Sequence, residues 1–391
     1  MLINLWYVAE WANKVGKDPV RVKMLGQQFV LFRDDQGKPH CLSDTCLHRG
    51  GSLGQGWVTN GNVTCPYHGW QYNGDGKCVV IPSEVDEGNK IPDKARVDSY
   101  PTEERYGMIW VFMGDLPESE RYPIPPFPEY GDPEWRAVSA DWTWQADAGR
   151  VLENGIDIAH ASFVHPMFGH NSTARRNKIV KLDRHEGWAT STNEMYPPQL
   201  KGGLRRFIRK DKAKTYVHPT FYMSGNTIRM HIEANPKMHI IMFDANTPID
   251  EHTTKTFAIQ VRNFFRLGIF DKGSLKRLEK VLQEDTAIVE QTRPFYLADN
   301  LEGEVSVKSD RFMGTYRKMR RDLIEQRGWQ IDSDEVDKYR GKKLFAIPSP
   351  ARSAARQEGV EPLLQEIPLK PAVRAKVSVT QGDDTTNTQP A

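Results

Sequence analysis

Two short cysteine–histidine pairs in this chain carry residue types that could bind a metal centre. Cys46 and His48 form a C-x-H pair, and Cys65 and His68 form a C-x-x-H pair further along. Two thiolates and two imidazoles are the ligand set of a Rieske [2Fe–2S] cluster, with the cysteines on one iron and the histidines on the other. A Cys2His2 zinc site uses the same atoms, but its ligands usually come as one cysteine pair and one histidine pair. The mixed pairs therefore predict the [2Fe–2S] cluster.

A second group of polar residues has the pattern D-x2-H-x4-H, at Asp157, His160 and His165. Asp157 and His160 are three residues apart and share a helical face. On a straight helix His165 would point about 140° away from His160. Pro166 removes this difficulty, because the residue before a proline avoids the helical conformation, so His165 can turn back toward the same site. Two neutral imidazoles arranged in this way suit Fe(II) if a carboxylate completes the set.

The carboxylate is expected from residues 274–291, which have the apolar spacing of an amphipathic helix. Asp285 lies on the apolar stripe of this helix, whereas Glu284 and Glu290 lie off it. A buried carboxylate is costly unless it is paired or bound to a metal. Asp285 is therefore the predicted third iron ligand, and a buried salt bridge is the alternative.

The elements that must position the first group lie in residues 4–114, which alternate short apolar runs with turn sequences. The run from Met108 to Phe112 and the turn sequence from Asn73 to Gly76 are typical of this pattern. It predicts a small all-β domain that holds the cluster ligands in its loops. Residues 115–136 are proline-rich, and prolines cannot continue a helix or a central strand, so we expect a linker there.

The second group falls in residues 137–345, where the two helical segments flank alternating, strand-like sequence. We expect an antiparallel sheet and helices in an α+β arrangement there. After Phe345 the chain contains no aromatic residue, is broken by prolines and ends in a polar stretch. Residues 346–391 are therefore predicted to be a loosely packed or disordered tail.

The overall composition is that of a globular protein. The chain has 391 residues, of which 38% are hydrophobic, enough to bury substantial cores. Its 53 basic and 51 acidic side chains give a net charge of +2, so bulk charge gives no reason to expect nucleic acid or an anionic membrane as a partner. No long apolar run or signal peptide is evident. Four cysteines, two of them assigned to the cluster, favour the cytoplasm.

Several of these sequences resemble one protein family. The sequence His48-Arg49-Gly50 and the sequence PYHGW around His68 are similar to the Rieske domain of ring-hydroxylating, non-haem iron oxygenases. The D-x2-H-x4-H pattern and the Glu284-Asp285 pair resemble the iron ligands of the same family. The short spacing between Asn154 and Asp157 looks more like the single-subunit branch, which includes vanillate and dicamba demethylases and saxitoxin hydroxylases. The resemblance covers residues 4 to about 330.

The resemblance implies an all-β Rieske domain followed by a helix-grip, START-like catalytic domain. In that domain an antiparallel sheet would wrap round a long helix, with the iron between the sheet and the helices. It also implies a terminal oxygenase in which electrons pass from the cluster to a mononuclear Fe(II). The iron would then use O2 to hydroxylate or oxidatively demethylate an aromatic or polycyclic substrate. Since the chain has no flavin or nicotinamide fingerprint, a separate NAD(P)H-dependent reductase would supply the electrons, with or without a ferredoxin.

The resemblance further implies a homotrimer, in which Asp157 bridges His68 of one subunit and His160 of the next, and Asn154 lies near the iron. Phe163, Met167, Phe168 and the strands around residues 222–241 are expected to line the substrate pocket. His170 is a spare histidine, and the basic residues 201–214 are either a guide for an acidic partner or a solvated loop. Three alternatives remain open: a ring cis-dihydroxylating dioxygenase, a Rieske electron carrier with a non-catalytic ligand-binding domain, and a zinc-stabilised lipid-binding module.

Overall fold

The structure is a computed structural model that describes residues 1–88, 90–166, 178–195, 215–298 and 303–373. Its N-terminal part consists of short strands, as the turn-rich sequence predicts. In chain order these are β1 (Leu5–Trp11), β2 (Val20–Met24), β3 (Gln27–Arg33), β4 (Pro39–Ser43), β5 (Trp57–Thr59), β6 (Asn62–Thr64), β7 (Gln71–Tyr72), β8 (Cys78–Val80), β9 (Ser99–Tyr100), β10 (Thr102–Arg105) and β11 (Met108–Met113).

These strands form three small antiparallel sheets, with the strand orders β2-β3-β4-β9, β5-β6-β7-β8 and β1-β11-β10. The predicted turn between β7 and β8 is present. The backbone N–H of Gly76 donates to the Asn73 carbonyl at 2.9 Å, and the Asn73 side chain accepts from Asp75 and Lys77. Gly76 has a φ of 79°, which favours glycine at this position.

The C-terminal part contains one antiparallel sheet of seven strands and the helices that pack on it. The sheet order is β12-β18-β17-β16-β15-β14-β13, which confirms the expected α+β fold. The strands are β12 (Arg136–Trp144), β13 (Lys178–His185), β14 (Trp188–Met195), β15 (Thr215–Tyr222), β16 (Thr227–Asn235), β17 (Met238–Pro248) and β18 (Thr254–Arg262). The helices are α1 (Ala148–Ile156), α2 (Ala161–Val164), α3 (Asp271–Val289), α4 (Arg311–Arg327), α5 (Ser333–Asp337) and α6 (Pro350–Gln357).

The two faces of this sheet have different partners. On the inner face, Ile228 belongs to the same apolar cluster as Tyr316 of α4. On the outer face, Phe243 packs on Trp110 of the N-terminal part and stacks on Phe127 with ring centroids 4.6 Å apart. Because side chains alternate along a strand, neighbouring residues of β17 serve opposite faces. Phe127 lies in the proline-rich segment, which runs across the outer face.

Residues 346–373 differ from the predicted loose tail. Strand β19 (Phe345–Ala346) pairs in parallel with β20 (Gln365–Glu366), and Ile347 is fully buried in the main core. Arg352 of α6 donates to both carboxylate oxygens of Asp98, at 2.8 and 2.9 Å, and both side chains are buried. The partner of this arginine is remote in sequence, so composition alone could not reveal the packing. Residues 374–391 lie outside the described ranges.

Within the described ranges, no helix is both long enough and apolar enough to cross a membrane.

Candidate metal centres

The first candidate site is built by two loops with the same backbone pattern. In one loop the N–H of Gly50 donates to the Cys46 carbonyl at 2.9 Å, and in the other the N–H of Gly69 donates to the Cys65 carbonyl at 3.0 Å. Gly50 and Gly69 have φ values of 75° and 74°, which favour glycine. Each loop therefore turns back on itself just beyond a cysteine, and it presents the nearby histidine at its tip.

The four predicted cluster ligands face one another across these loops. Both cysteines are buried, whereas His48 is half-buried and His68 is exposed, and the two imidazole rings lie 4.4 Å apart between centroids. A Cβ on Gly51 would come within 3.0 Å of the Cys65 sulfur, which shows how closely the loops approach. This arrangement suits a cluster with a buried cysteine side and a histidine side near solvent.

Burial and neighbouring groups shift the pKa values of two ligands of this site. Burial raises the pKa of the Cys46 thiol, and the Tyr72 hydroxyl lies 3.3 Å from its sulfur. Burial, His68 and Arg49 lower the pKa of His48, which keeps that imidazole neutral. The Nδ1 atom of His48 is buried and has no hydrogen-bond partner in the described part of the chain. An orphaned nitrogen at this position fits a ligand to iron.

The second candidate site begins where α1 ends. Asp147 caps the first turn of α1, accepting from the N–H groups of Gly149 and Arg150. The helix stops at Ile156, and the short helix α2 lies between His160 and His165. His165 has φ −106° and ψ 103°, an extended conformation that follows from Pro166 as predicted.

Three ligand atoms converge at this second site. The Oδ1 atom of Asp285 lies 3.4 Å from the Nε2 atom of His160 and 3.2 Å from the Nε2 atom of His165. All three side chains are within reach of a single ion, since their ligand atoms lie within 4.8 Å of one another. The Oδ1 atom is buried without a well-aligned hydrogen bond in the described residues. Two imidazoles and one carboxylate in this arrangement fit a mononuclear Fe(II).

Helix α3 brings Asp285 to the site by packing on β12. Leu278 and Leu282 share an apolar cluster with Trp144, and the indole N–H of Trp142 donates to the Thr286 hydroxyl at 2.9 Å. The apolar stripe that predicted the buried position of Asp285 is therefore the stripe that faces the sheet.

A carboxylate lies behind each of the two histidines. The Oδ2 atom of Asp157 is 3.6 Å from the Nδ1 atom of His160, and the Oε2 atom of Glu284 is 3.0 Å from the Nδ1 atom of His165. Burial lowers the pKa of His160, but Asp157 and Asp285 outweigh it and raise the pKa to about 9. Burial raises the pKa of Asp285, but the two histidines lower it to about 2.

Sequence reasoning missed Glu284. The helical stripe puts its Cα off the buried face, but a glutamate side chain is long enough to reach back to His165. A signal was available, because Glu284 is adjacent to Asp285 and a histidine ligand commonly donates its other N–H to a carboxylate.

The remaining predicted residues are placed as follows. Asn154 lies half-buried one turn before Asp157, and its carbonyl accepts a hydrogen bond from the Asp157 N–H at 3.2 Å. No described contact joins its side chain to the three converging ligands. Glu153 of the same helix is held by two hydrogen bonds from Arg317 of α4, at 2.6 and 2.8 Å. This buried pair fixes α1, and with it the position of Asp157.

Apolar side chains on the inner face of the sheet lie beside the helix that carries the histidines. Val217, Met230 and Ile232 cluster with Ile158 and Ala161. This face falls within the strands predicted to line a pocket.

Of the other residues that were predicted to line the pocket, Phe163 lies in the described part of the chain. Phe163 is 61% exposed. Met167, Phe168, His170 and the basic residues 201–214 lie outside the described part of the chain.

Comparison with known proteins gives a family match for each of the two parts of the chain. Residues 5–101 match the Rieske [2Fe-2S] domain family, and residues 144–326 match the vanillate O-demethylase oxygenase C-terminal domain family. The chain is 30% identical over 323 residues to methylxanthine N1-demethylase NdmA from Pseudomonas putida, covering 81% of this chain and 86% of that protein.

Solved structures show the same fold. Pseudomonas putida CBB5 NdmA with caffeine is 28% identical and superposes with a TM-score of 0.71, covering 82% of this chain and 91% of that chain. Dicamba monooxygenase bound to dicamba is 23% identical and has a TM-score of 0.69 over 81% of this chain and 96% of that chain, a likeness of fold. With its Rieske [2Fe–2S] domain and its oxygenase domain of the mononuclear iron type, this chain belongs to the Rieske non-haem iron oxygenases, as a terminal oxygenase component related to NdmA.

Proposed function

We propose that this oxygenase hydroxylates or oxidatively demethylates a small aromatic or polycyclic molecule. One observation carries the proposal: the Nε2 atoms of His160 and His165 converge with Asp285 Oδ1 beside an apolar sheet face. An apolar face suits a ring better than a sugar or an amino acid. The relationship to an enzyme named as a methylxanthine N1-demethylase supports demethylation as the first reaction to test.

We assign the cluster to Cys46, His48, Cys65 and His68, and the mononuclear iron to the three converging residues. When bound, the iron supplies the O2 chemistry, with two electrons that arrive through the cluster. One oxygen atom would enter the substrate, and the other would take up two protons and leave as water. A methyl group hydroxylated in this way on nitrogen or oxygen leaves as formaldehyde.

The chain's own groups orient the ligands and keep water away. Glu284 accepts the Nδ1 proton of His165, and the Asp157 carboxylate lies 3.6 Å from the Nδ1 atom of His160. Carboxylates in these positions favour rings whose Nε2 lone pairs are directed at the metal position. Apolar side chains line the sheet face beside the segment that carries the histidines, at Val217, Met230 and Ile232. They would keep bulk water away from the reacting substrate.

The electron route that we propose crosses between subunits. In a homotrimer, His68 of one subunit would lie against Asp157 of the next, and that carboxylate would connect the cluster to His160. Two features support this: the His68 side chain is exposed, and Asp157 is half-buried rather than enclosed. The electrons would come from an NAD(P)H-dependent reductase in the cytoplasm, where Cys41 and Cys78, the two cysteines outside the cluster, would remain reduced.

The proposal is tested by metal analysis and by substrate-dependent O2 uptake with a reductase and NAD(P)H. We expect three irons per chain, two in the cluster and one mononuclear. N-methylated heterocycles and aromatic methyl ethers should release formaldehyde. A cis-dihydrodiol product would instead favour ring dihydroxylation, and two irons per chain without O2 uptake would favour an electron carrier.

The matched variant for this test is Asp285→Ala. It should lose the mononuclear iron and turnover while retaining the visible and EPR spectra of the cluster, because Asp285 is one of three ligands at a buried site. Glu279→Gln, an exposed carboxylate of the same helix, is the control. Full iron content and turnover in Asp285→Ala would contradict the assignment.

A further inference from the structure

A second group of metal-binding side chains lies on the outer face of the seven-stranded sheet. His218 of β15 is directly opposite His231 of β16, and Glu233 of β16 is directly opposite His239 of β17. We call these four residues the outer histidine group. Strand alternation places it on the face opposite to Met230 and Ile232, and therefore opposite to the side where the iron ligands lie.

Three members of this group could hold one ion. His218, His231 and Glu233 each offer a ligand atom, and these atoms lie within 4.8 Å of one another. The Nε2 atom of His218 is 3.0 Å from the Oε1 atom of Glu233, and the imidazole rings of His218 and His231 are 5.4 Å apart. All three are half-buried, so a small ion could reach them from solvent.

Two neighbours orient the imidazoles of the outer histidine group. The hydroxyl of Thr192 lies 3.1 Å from the Nδ1 atom of His218, opposite the nitrogen that faces Glu233. The Nε2 atom of His231 lies 3.0 Å from the Nδ1 atom of His239, so one ring donates to the other. Partners of this kind fix the tautomer and the direction of histidine ligands.

Burial and the surrounding charges favour a neutral imidazole at His231. Burial, Arg229, His218 and His239 lower the pKa of His231 to about 4, against the opposing effect of Glu233. Arg229 is itself paired with Glu129. At neutral pH the His231 ring is therefore unprotonated, which is the form that binds a metal.

We propose that His218, His231 and Glu233 bind a divalent transition-metal ion of the zinc class, with His239 behind His231. Two imidazoles and a carboxylate suit such ions, and Zn²⁺ adds no redox chemistry. The ion would join β15 to β16 and stabilise the sheet. The site does not depend on the proposed oxygenase reaction, because it shares no residue with the iron site.

The test is a titration of the full-length, iron-loaded protein with Zn²⁺, followed by calorimetry and by iron analysis of the same sample. We expect one Zn²⁺ per chain to bind without release of iron, and the melting temperature to rise, because an ion that binds only the folded state stabilises it. Glu233→Gln and His218→Ala should abolish both effects. His185→Ala is the matched control, since this histidine stacks on Trp188 outside the group and its loss should change neither effect.

Three results would overturn the proposal. They are no Zn²⁺ binding by the parent protein, equal binding by Glu233→Gln and the parent, or release of one iron for each Zn²⁺ bound. Glu233→Gln keeps the side-chain shape, and its unchanged cluster spectrum would show that the variant is folded. If hydrogen bonds alone hold the outer histidine group together, the parent protein should bind no Zn²⁺ and its turnover should be unaffected.

Discussion

At the scale of single residues, the most informative contact is the one between Glu284 and the side of the His165 ring that faces away from the metal position. Glu284 lies 3.0 Å from His165, and its carboxylate can both orient the ring and favour the metal-bound form. We expect Glu284→Gln to weaken iron binding about 10–100-fold, the range typical of such second carboxylates. The measurement is an iron titration of protein that retains its cluster but lacks mononuclear iron.

Lys280 also approaches Glu284, at 3.6 Å, and is largely exposed. Lys280→Met therefore controls for a general change of charge on this turn of α3, and it should leave iron affinity near that of the parent. Equal iron affinity in Glu284→Gln and the parent would show that Glu284 is only a surface partner of Lys280.

Asp244 of β17 is a buried carboxyl on the inner face, and one of its oxygens has no hydrogen-bond partner among the described residues. Burial, with a smaller effect of Asp285, raises its pKa from 3.8 to about 7. The folded state therefore binds this proton more tightly than the unfolded state does. The contribution of Asp244 to stability should be fully present below about pH 4 and should be lost as pH rises through about 7.

Asp244→Asn keeps the shape of the side chain and removes its charge. We expect the variant to melt at a higher temperature than the parent at pH 8, and the difference to vanish near pH 4, as followed by thermal unfolding across this range. Asp183→Asn, at a more exposed strand position, should show no such pH-dependent gain. A variant that is less stable than the parent at pH 8 would mean that the charged form has a partner.

The ligand residues could be proposed from sequence because their chemistry is local. Cysteine–histidine spacing, the proline after His165 and the apolar stripe around Asp285 each depend on a few neighbours in the chain. Glu284 could not be assigned by the same logic, because a helical stripe gives the direction of a Cβ atom but not the reach of a long side chain. Asp244 gave no signal, because one aspartate in a strand does not reveal which face is enclosed.

At the scale of elements, buried ion pairs join segments that lie far from each other in the sequence. Arg352 of α6 pairs with Asp98, which precedes β9, and 254 residues separate them. We expect Arg352→Met to destabilise the protein by about 3–5 kcal/mol, because it leaves a buried carboxylate without its cation. The loss should appear in urea unfolding and as faster proteolysis within residues 346–373.

Arg340→Met is the matched control, since Arg340 pairs with Asp337 on an exposed surface and such pairs contribute little. If Arg352→Met unfolded at the same urea concentration as Arg340→Met, the tail would not depend on this contact. The double variant Arg352→Met with Asp98→Leu should recover part of the loss, because it removes both charges.

These pairs mark the limit of sequence reasoning about elements. The sheet could be predicted from alternation and the helices from apolar spacing, because both patterns repeat over short distances. Nothing in the polar, proline-broken sequence after residue 345 indicated that Ile347 would be fully buried. The burial of that segment depends on a surface formed by the opposite end of the chain.

At the scale of the whole molecule, the proposed electron path predicts how mixed assemblies behave. His48→Ala should lose the cluster, and Asp285→Ala should lose the mononuclear iron, so each variant alone should be inactive. When the two chains are coexpressed, the intact cluster of one can lie beside the intact iron of the other. Measurable turnover by isolated mixed trimers would then be expected.

The control is the same mixture in which the His48→Ala chain, which supplies the intact iron, also carries Asp157→Asn. Loss of the proposed bridge should remove most of the recovered turnover while leaving metal contents unchanged. Inactive mixed trimers in which the Asp285→Ala chain keeps its cluster and the His48→Ala chain keeps its mononuclear iron would show that electrons travel within one chain instead.

Because the two faces of the sheet pack against different partners, they determine which residues can be changed to alter the substrate range of this enzyme. Ile241 and Phe243 face the N-terminal part, while Met242 between them faces the interior with Met230. Libraries that randomise Met230, Ile232 and Met242 can therefore reshape the interior without disturbing the packing of the outer face. An insertion of one residue in β17 would exchange the two sets, so length changes should be far less productive than substitutions.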